Sequence, residues 1–441
     1  MIEKPPQIKN THLKKAFDIL KNHEYLELIK DINNRYLYWD KVKYKNKSSK
    51  YSGEDLWAAV KLTRTFDFKK ISFGNYNFSF SQTDYIQKIL HEIDLNIGGT
   101  LGADKLLPKD GKEKYLISSI MEEAIASSQM EGAVTTRKKA KEMLRKNNKP
   151  RSKSDQMILN NYYTIKHIVE NKSNKLSPDS LLYIHQLISR NTLDNKDDEG
   201  AFRKSNDIYV VNHIESEVVH TPPDFVEIPE LINQICEFFN KDDDKFFIHP
   251  VIKGIILHFL IGFIHPFVDG NGRTARALFY WYLLSKGYWL TEYMSISRLI
   301  IKSKNQYEKA YQYTENDGND LTYFLSYNLK TMSLAYDALR QYLQRKIEEK
   351  KYLTNFQRIP SITERQAEIL QWYYDESNLV LTVKEVETRL YVSNQTARTD
   401  LFQLCELGFI EILKANKKKQ IFVRSSNFDE LIKKNYSQYF V

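Results

Sequence analysis

A mainly helical fold, closed by a C-terminal helix–helix–helix–strand–strand module, is predicted by three features of the 441-residue chain. Apolar residues recur at helical spacing in one segment after another. Serine, threonine and proline stand where such helices should begin. β-Branched runs are few, short and bounded by turn residues.

Residues 1–105 mix lysines with aromatic and apolar side chains, as in Tyr36-Leu37-Tyr38-Trp39, and are expected to be mostly helical with a short hairpin around Ile71–Phe80. From Glu113 to Met130, Leu116, Ile120, Ala124 and Ser127–Ser128 recur on one side, predicting a helix. Helices are expected next at about 155–170, at 178–191 and at 227–240. Ser177 is the N-cap of the second, with Pro178 at its first position, and Pro229 lies near the start of the third. Within Asn206–His220, Ile208–Val211 and Val218–His220 flank a polar turn, predicting a β-hairpin that Pro222-Pro223 ends.

The most apolar stretch, Val251–Phe267, is interrupted by Lys253, His258 and His265, which suits a buried helix over 249–264 better than a membrane span. A glycine-rich loop joins it to a helix at 272–286, and helices continue to about 350, with Pro360 marking a boundary. Two capping boxes, Thr363 with Gln366 and Thr382 with Glu385, open helices over Thr363–Glu376 and Thr382–Leu390. A third helix over Ser393–Leu407 stops at Gly408, before strands at Phe409–Leu413 and Gln420–Val423 around Lys414–Lys419. The expected domains are 1–110, 111–350 and 360–425, with a tail over 426–441.

Composition narrows the function classes. Hydrophobic residues at 42% and charged residues at 27% fit a soluble globular protein. Cys236 and Cys405 are far apart and lack metal-ligand spacing, which argues against a disulfide framework and a cysteine zinc site. Met1–Asn10 is polar and lacks the apolar stretch of a signal peptide, so a cytoplasmic, membrane-free protein is expected. The net charge of +9 is compatible with nucleic acid as a partner, yet the basic run Arg137–Lys153 reads as a solvated helix face and loop.

The chemistry concentrates in Ile264-His265-Pro266-Phe267-Val268-Asp269-Gly270-Asn271-Gly272-Arg273-Thr274-Ala275-Arg276. A glycine loop entering a helix presents free backbone N–H groups and the positive end of the dipole to an anion. Asp269 is a hard oxygen ligand suited to Mg²⁺. Arg273 and Arg276, three apart, share one side of the helix and can grip phosphate oxygens. His265 can take a proton from an attacking hydroxyl. These residue types in this order predict Mg²⁺-assisted phosphoryl or nucleotidyl transfer, with the histidine as base and the arginines as the clamp on developing charge.

The run resembles the Fic signature, His-x-Phe-x-Asp/Glu-Gly-Asn-Gly-Arg-x-x-Arg, at His265, Phe267, Asp269, Gly270, Asn271, Gly272, Arg273 and Arg276. The resemblance implies a Fic-type helical core in which His265 deprotonates the target and Asp269 holds Mg²⁺. It further implies that Gly270–Gly272 cradle the diphosphate of ATP, that Asn271 bonds the α-phosphate and that Arg273 and Arg276 take the β- and γ-phosphates. Doc-type members carry a lysine at the Gly272 position, so glycine there argues for AMP transfer over phosphorylation. Upstream, Ser127, Glu131 and Gly132 resemble the family's inhibitory motif, Ser/Thr-x-x-x-Glu-Gly/Asn, whose carboxylate would pair with Arg276 and exclude the γ-phosphate. In some members that glutamate instead positions a water that removes AMP, so transfer and removal both stay open. The hairpin at 206–220 resembles the family's flap, which holds a target segment by strand addition.

The C-terminal module resembles a winged helix-turn-helix, placing Asn394, Gln395, Thr396 and Arg398 at a DNA major groove and the wing lysines on phosphates. Basic and acidic residues balance between 361 and 424, so protein binding or dimerisation is an equal alternative. The leading expectation is an AMP transferase acting on a Ser, Thr or Tyr hydroxyl of a protein target, this chain included. The alternative is a DNA-binding regulator whose core senses nucleotide.

Overall fold

The computed structural model describes residues 2–46, 50–98, 112–212, 217–242, 245–414 and 420–435. The architecture is mainly helical, with three small sheets. It forms two compact units, Met1–Leu339 and Arg340–Val441.

The first unit opens with α1 (Asn10–Leu20), α2 (His23–Asn34) and α3 (Gly53–Phe66). They close around Ile19, Ile29, Trp57 and Val60, and Tyr323 belongs to the same cluster. Arg64 crosses this core fully buried, donating to the Tyr323 hydroxyl at 2.7 Å and to the Leu37 carbonyl at 2.9 Å. The expected hairpin forms as β1 (Lys69–Phe73) and β2 (Tyr76–Phe80), followed by α4 (Asp84–Asn96).

Next come α5 (Lys112–Met130), α6 (Arg137–Arg145), α7 (Lys153–Glu170) and α8 (Pro178–Ser189). Ser177 caps α8, accepting from the Ser180 N–H, with Pro178 in the first turn. α8 ends two residues before the predicted limit because Arg190 turns extended and Asn191 is left-handed (φ 56°).

The second hairpin is shorter than predicted: β3 (Val210–Asn212) pairs with β4 (Glu217–His220), and their turn, 213–216, lies outside the described residues. Ahead of the strand, the Asn206 side chain accepts from Arg203 and from the Phe225 N–H and donates to Asp224.

α9 (Ile228–Asn240) precedes the central pair, α10 (Pro250–Ile264) and α11 (Asn271–Ser285). α10 is buried along almost its whole length. Its polar interruptions are partnered core residues: Lys253 reaches the Lys241 carbonyl and lies over the Phe238 ring, and His258 Nε2 meets the Tyr307 hydroxyl at 2.9 Å. α12 (Ile296–Lys302), α13 (Lys304–Asn316) and α14 (Thr322–Gln357) follow, and the boundary between the units falls within α14.

In the second unit α15 (Glu364–Asp375), α16 (Val383–Leu390) and α17 (Asn394–Glu406) begin at the expected caps, and both capping boxes are formed. β6 (Ile410–Lys414) and β7 (Gln420–Arg424) pair, and β5 (Val380–Leu381), unforeseen because it is two residues long, adds to the other edge of β7. α18 (Phe428–Asn435) completes the unit. Lys417–Lys419 of the predicted wing and residues 436–441 lie outside the described residues. Among the described residues no helix is long and apolar enough to cross a membrane.

Candidate active site

His265 terminates α10 in the left-handed region, at φ 49° and ψ 56°. That conformation is unfavourable for a residue with a Cβ and persists only where neighbours over-determine it. Arg203 does so, its Nε donating to the His265 carbonyl and its backbone N–H to the Pro266 carbonyl, each at 2.9 Å. The remaining guanidinium bonds reach Ser205, Asn206 and the Pro223 carbonyl, so one side chain ties the loop to both ends of the hairpin. His265 Nδ1 faces the Gly262 carbonyl at 3.2 Å, which requires the proton on Nδ1 and leaves Nε2 as an acceptor. Burial lowers its pKa to about 4, so the ring is neutral at physiological pH.

The loop that follows is built from its own side chains. Phe267 is fully buried and stacks on His185, with ring centroids 3.7 Å apart and planes 4° from parallel. Asn271 grips the Phe267 backbone at both polar groups, accepting from its N–H at 2.9 Å and donating to its carbonyl at 2.8 Å. The amide expected on the α-phosphate is thus engaged with the loop, one Nδ2 hydrogen remaining. Gly270 caps α11 at φ 87°, and the first backbone N–H groups of α11 have no carbonyl of their own helix to bond. Asp269 is half exposed: its Oδ1 accepts from the Gly270 N–H at 2.5 Å, and its Oδ2 lies 3.5 Å from the Arg273 guanidinium.

The two arginines differ. Arg273, 1% exposed, donates one bond to the Ile188 carbonyl at 3.1 Å, while among the described residues its Nε and the other terminal nitrogen make no hydrogen bond, the latter having only the Asp269 carboxylate at 3.5 Å. A buried guanidinium with two nitrogens short of hydrogen bonds at a helix N-terminus is matched to an anion. Arg276 is held by the end of α5 through its Nε and one terminal nitrogen. It donates to Ser127 Oγ at 2.9 Å, to the Ser127 carbonyl at 3.0 Å and to Glu131 Oε1 at 2.8 Å. The Glu131 pKa is lowered, Arg276 outweighing the cost of burial. Gly272 lies against this pair, and a Cβ there would overlap the Glu131 carboxylate. Gly132, left-handed at φ 91°, ends the turn that presents Glu131.

Among the described residues no group of three or more His, Cys, Asp or Glu could hold a metal ion. Asp269 alone offers the single carboxylate that Mg²⁺ takes when phosphate oxygens complete its shell, and the Arg273 nitrogens short of hydrogen bonds beside it fit the phosphate part of such a complex.

Sequence reasoning missed three contributors. Arg203 was visible only as part of Gly200-Ala201-Phe202-Arg203 ahead of the hairpin. His185 carried a signal, since Leu181, Ile184 and Ile188 place it on the apolar face of α8. Glu123 lies four residues before Ser127, hence on the same face of α5. It accepts from the Ser297 N–H at 3.0 Å and from Ser295 Oγ at 3.1 Å.

Residues 175–283 match the Fic/DOC family. Over 89 residues the chain is 36% identical to Protein adenylyltransferase Fic of Drosophila melanogaster, a stretch covering 20% of this chain and 16% of that one. Over 120 residues it is 33% identical to Protein adenylyltransferase Fic of Aedes aegypti, covering 27% and 21%. The matched stretches thus span about a fifth or less of these curated relatives. Among solved structures, the chain is similar to a Fic family protein from Desulfovibrio desulfuricans G20, with 19% identity and a TM-score of 0.48 over 77% of this chain and 94% of that one. It is also similar to Fic-1 (aa134–508) of C. elegans, with 16% identity and a TM-score of 0.47 over 74% and 86%. The stretch that matches the Fic/DOC family, residues 175–283, supplies His265, the glycine loop and both arginines.

Proposed function

We propose that the chain transfers AMP from ATP to a Ser, Thr or Tyr hydroxyl of a protein, and that Glu131 restrains it. The observation that carries the reading is Arg273, a buried guanidinium two of whose nitrogens make no hydrogen bond among the described residues, beside Asp269 and the free N–H groups of α11. Phosphates of ATP fit that set: the N–H groups and Arg273 meet the polyphosphate, and Arg276 would meet its end once Glu131 leaves. A divalent ion shared by Asp269 and the phosphates would neutralise developing charge.

His265 Nε2, neutral and facing away from its Gly262 anchor, accepts the hydroxyl proton. The hydroxyl oxygen then bonds to the α-phosphorus, the bond from that phosphorus to the bridging oxygen breaks, and pyrophosphate leaves. With Glu131 on Arg276, the terminal phosphate meets a carboxylate instead of a cation. Tyr209, Val211 and Val218 are exposed along the hairpin and offer an edge for a target strand. Removal of AMP by a water that Glu131 positions remains a second activity of the same groups.

The second unit supports a separate binding role, for which DNA is the reading to test. Gln395 and Arg398 are exposed on α17, although Glu387, bonded to Asn394 at 2.9 Å, adds a carboxylate to that face. Salt-dependent DNA retention unaffected by His265→Ala would support it.

Incubation with Mg²⁺ and adenine-labelled ATP tests the enzymatic reading. Glu131→Gly should label protein strongly, wild type weakly and Glu131→Gly/His265→Ala not at all. Labelling that survives loss of His265 would overturn the assigned base.

A further inference from the structure

We propose that His185, outside the signature, is a positioning residue that pins the Asp269 carbonyl and thereby fixes the metal-facing carboxylate and the phosphate loop against α8. The proposal rests on the reading of Asp269 as a metal ligand, but the pin is a geometric claim of its own.

The ring meets three demands at once. It stacks on Phe267 at 3.7 Å and 4°. Its Nδ1 accepts from the Gly200 N–H at 3.1 Å, which fixes that nitrogen as unprotonated. Its Nε2 must then carry the hydrogen, and it donates to the Asp269 carbonyl at 2.8 Å. A phenyl ring satisfies only the first demand, and a carboxamide at most one of the other two along with none of the stacking. The ring is fully buried, so no water replaces a lost bond cheaply.

The contacts around it belong to one helix face. One turn beyond His185, the Ile188 carbonyl takes the only hydrogen bond that Arg273 makes among the described residues. A Cβ on Gly270 would sit 3.3 Å from His185 Nε2 and 3.4 Å from Ile188, so the loop closes on α8 as tightly as a glycine permits. On the other side, Gly200 approaches α8 so closely that a Cβ would lie 2.9 Å from Gln186 and 3.2 Å from the Leu182 carbonyl. α8 therefore sets the Asp269 loop, the Arg273 guanidinium and the base of the hairpin from two residues, His185 and Ile188. A residue that orients a ligand-bearing loop in this way typically changes metal affinity or activity by about 10–100-fold when lost.

The test compares His185→Gln with His185→Asn in full-length Glu131→Gly. Both lose the ring stack, so their common loss measures packing. The glutamine amide reaches the place of Nε2 and keeps a donor to Asp269; the asparagine amide reaches only the place of Nδ1. Melting curves establish that both fold. Mn²⁺ uptake in the presence of ATP, followed by electron paramagnetic resonance, is the first readout. The glutamine variant should need no more than about threefold the Mn²⁺ of the parent, and the asparagine variant about tenfold or more. Equal Mn²⁺ requirements in the two variants would overturn the proposal.

If Glu131→Gly itself takes up no Mn²⁺ with ATP, the metal reading of Asp269 fails, and amide hydrogen exchange over 266–272 decides the pin. Faster exchange in the asparagine variant than in the glutamine variant sustains it, and equal exchange removes it.

Discussion

Arg276 meets three oxygen acceptors at the end of α5, two on Ser127 and one on Glu131, through its Nε and one terminal nitrogen, so the guanidinium is engaged there while that turn stays in place. Charge-assisted bonds of this kind contribute roughly 1.5–3 kcal/mol each, or about a tenfold to hundredfold change in an equilibrium. Glu131→Gly should therefore tighten ATP binding by about tenfold or more, measured by calorimetry; unchanged affinity would remove Glu131 as the restraint. His265 permits a second test. Its burial lowers the pKa to about 4, so its imidazole signal, identified by loss in His265→Ala, should titrate well below the free-histidine range; a midpoint near 6.5 would contradict the buried, neutral base. Both residues were legible in the sequence because their roles depend on a short signature and on one helix end. The use of Asn271 was not legible, since nothing in Gly-Asn-Gly reveals that the amide turns back to Phe267.

α5 works as a unit because Glu123 and Ser127 share one face, four residues apart, and Glu131 follows in the turn at its end. Glu123 is buried and accepts from Ser297 and Ser295, and burial raises its pKa. It fixes the helix in the position from which Ser127 and Glu131 reach Arg276. Glu123→Ala leaves the Ser297 N–H without its partner, at a cost of roughly 1–3 kcal/mol. The variant should melt earlier and, at a temperature where it is folded, label protein more than wild type. A variant that melts earlier with labelling unchanged would separate the anchor from the restraint. The sequence predicted α5 from its apolar spacing, and the place of Ser127–Ser128 on the apolar side was visible. The partners of Glu123 and Ser127 were not, because Ser295, Ser297 and Arg276 lie more than a hundred residues away and no local pattern joins them. α8 shows the same limit, with its cap and first proline read directly and the task of His185 set by Gly200 and Asp269.

At the scale of the molecule, residues 1–98 and 175–283 belong to one compact unit, and Arg64 ties the first of these to Tyr323 of α14. It is fully buried, bonded to Asn33, Leu37 and Tyr323, and influenced by Asp317 and Asp320, whose charges help keep it protonated. Leaving a buried hydrogen-bonding partner unsatisfied costs roughly 1–3 kcal/mol. Arg64→Ala should lower the melting temperature of the first unit by several degrees while leaving labelling by Glu131→Gly intact in the cold; an unchanged melting curve would refute that role. The sequence showed a helical N-terminal region without showing what holds it, because Tyr323 and Asp320 follow some 250 residues later.

The central claim is that His265 and the Arg273 loop transfer the nucleotidyl group of ATP. The most direct measurement compares α-³²P-ATP with γ-³²P-ATP as donors for Glu131→Gly, with Glu131→Gly/His265→Ala alongside. The account predicts protein label from the α-phosphate alone, lost without His265. Label arriving from the γ-phosphate would make the reaction phosphoryl transfer and contradict it.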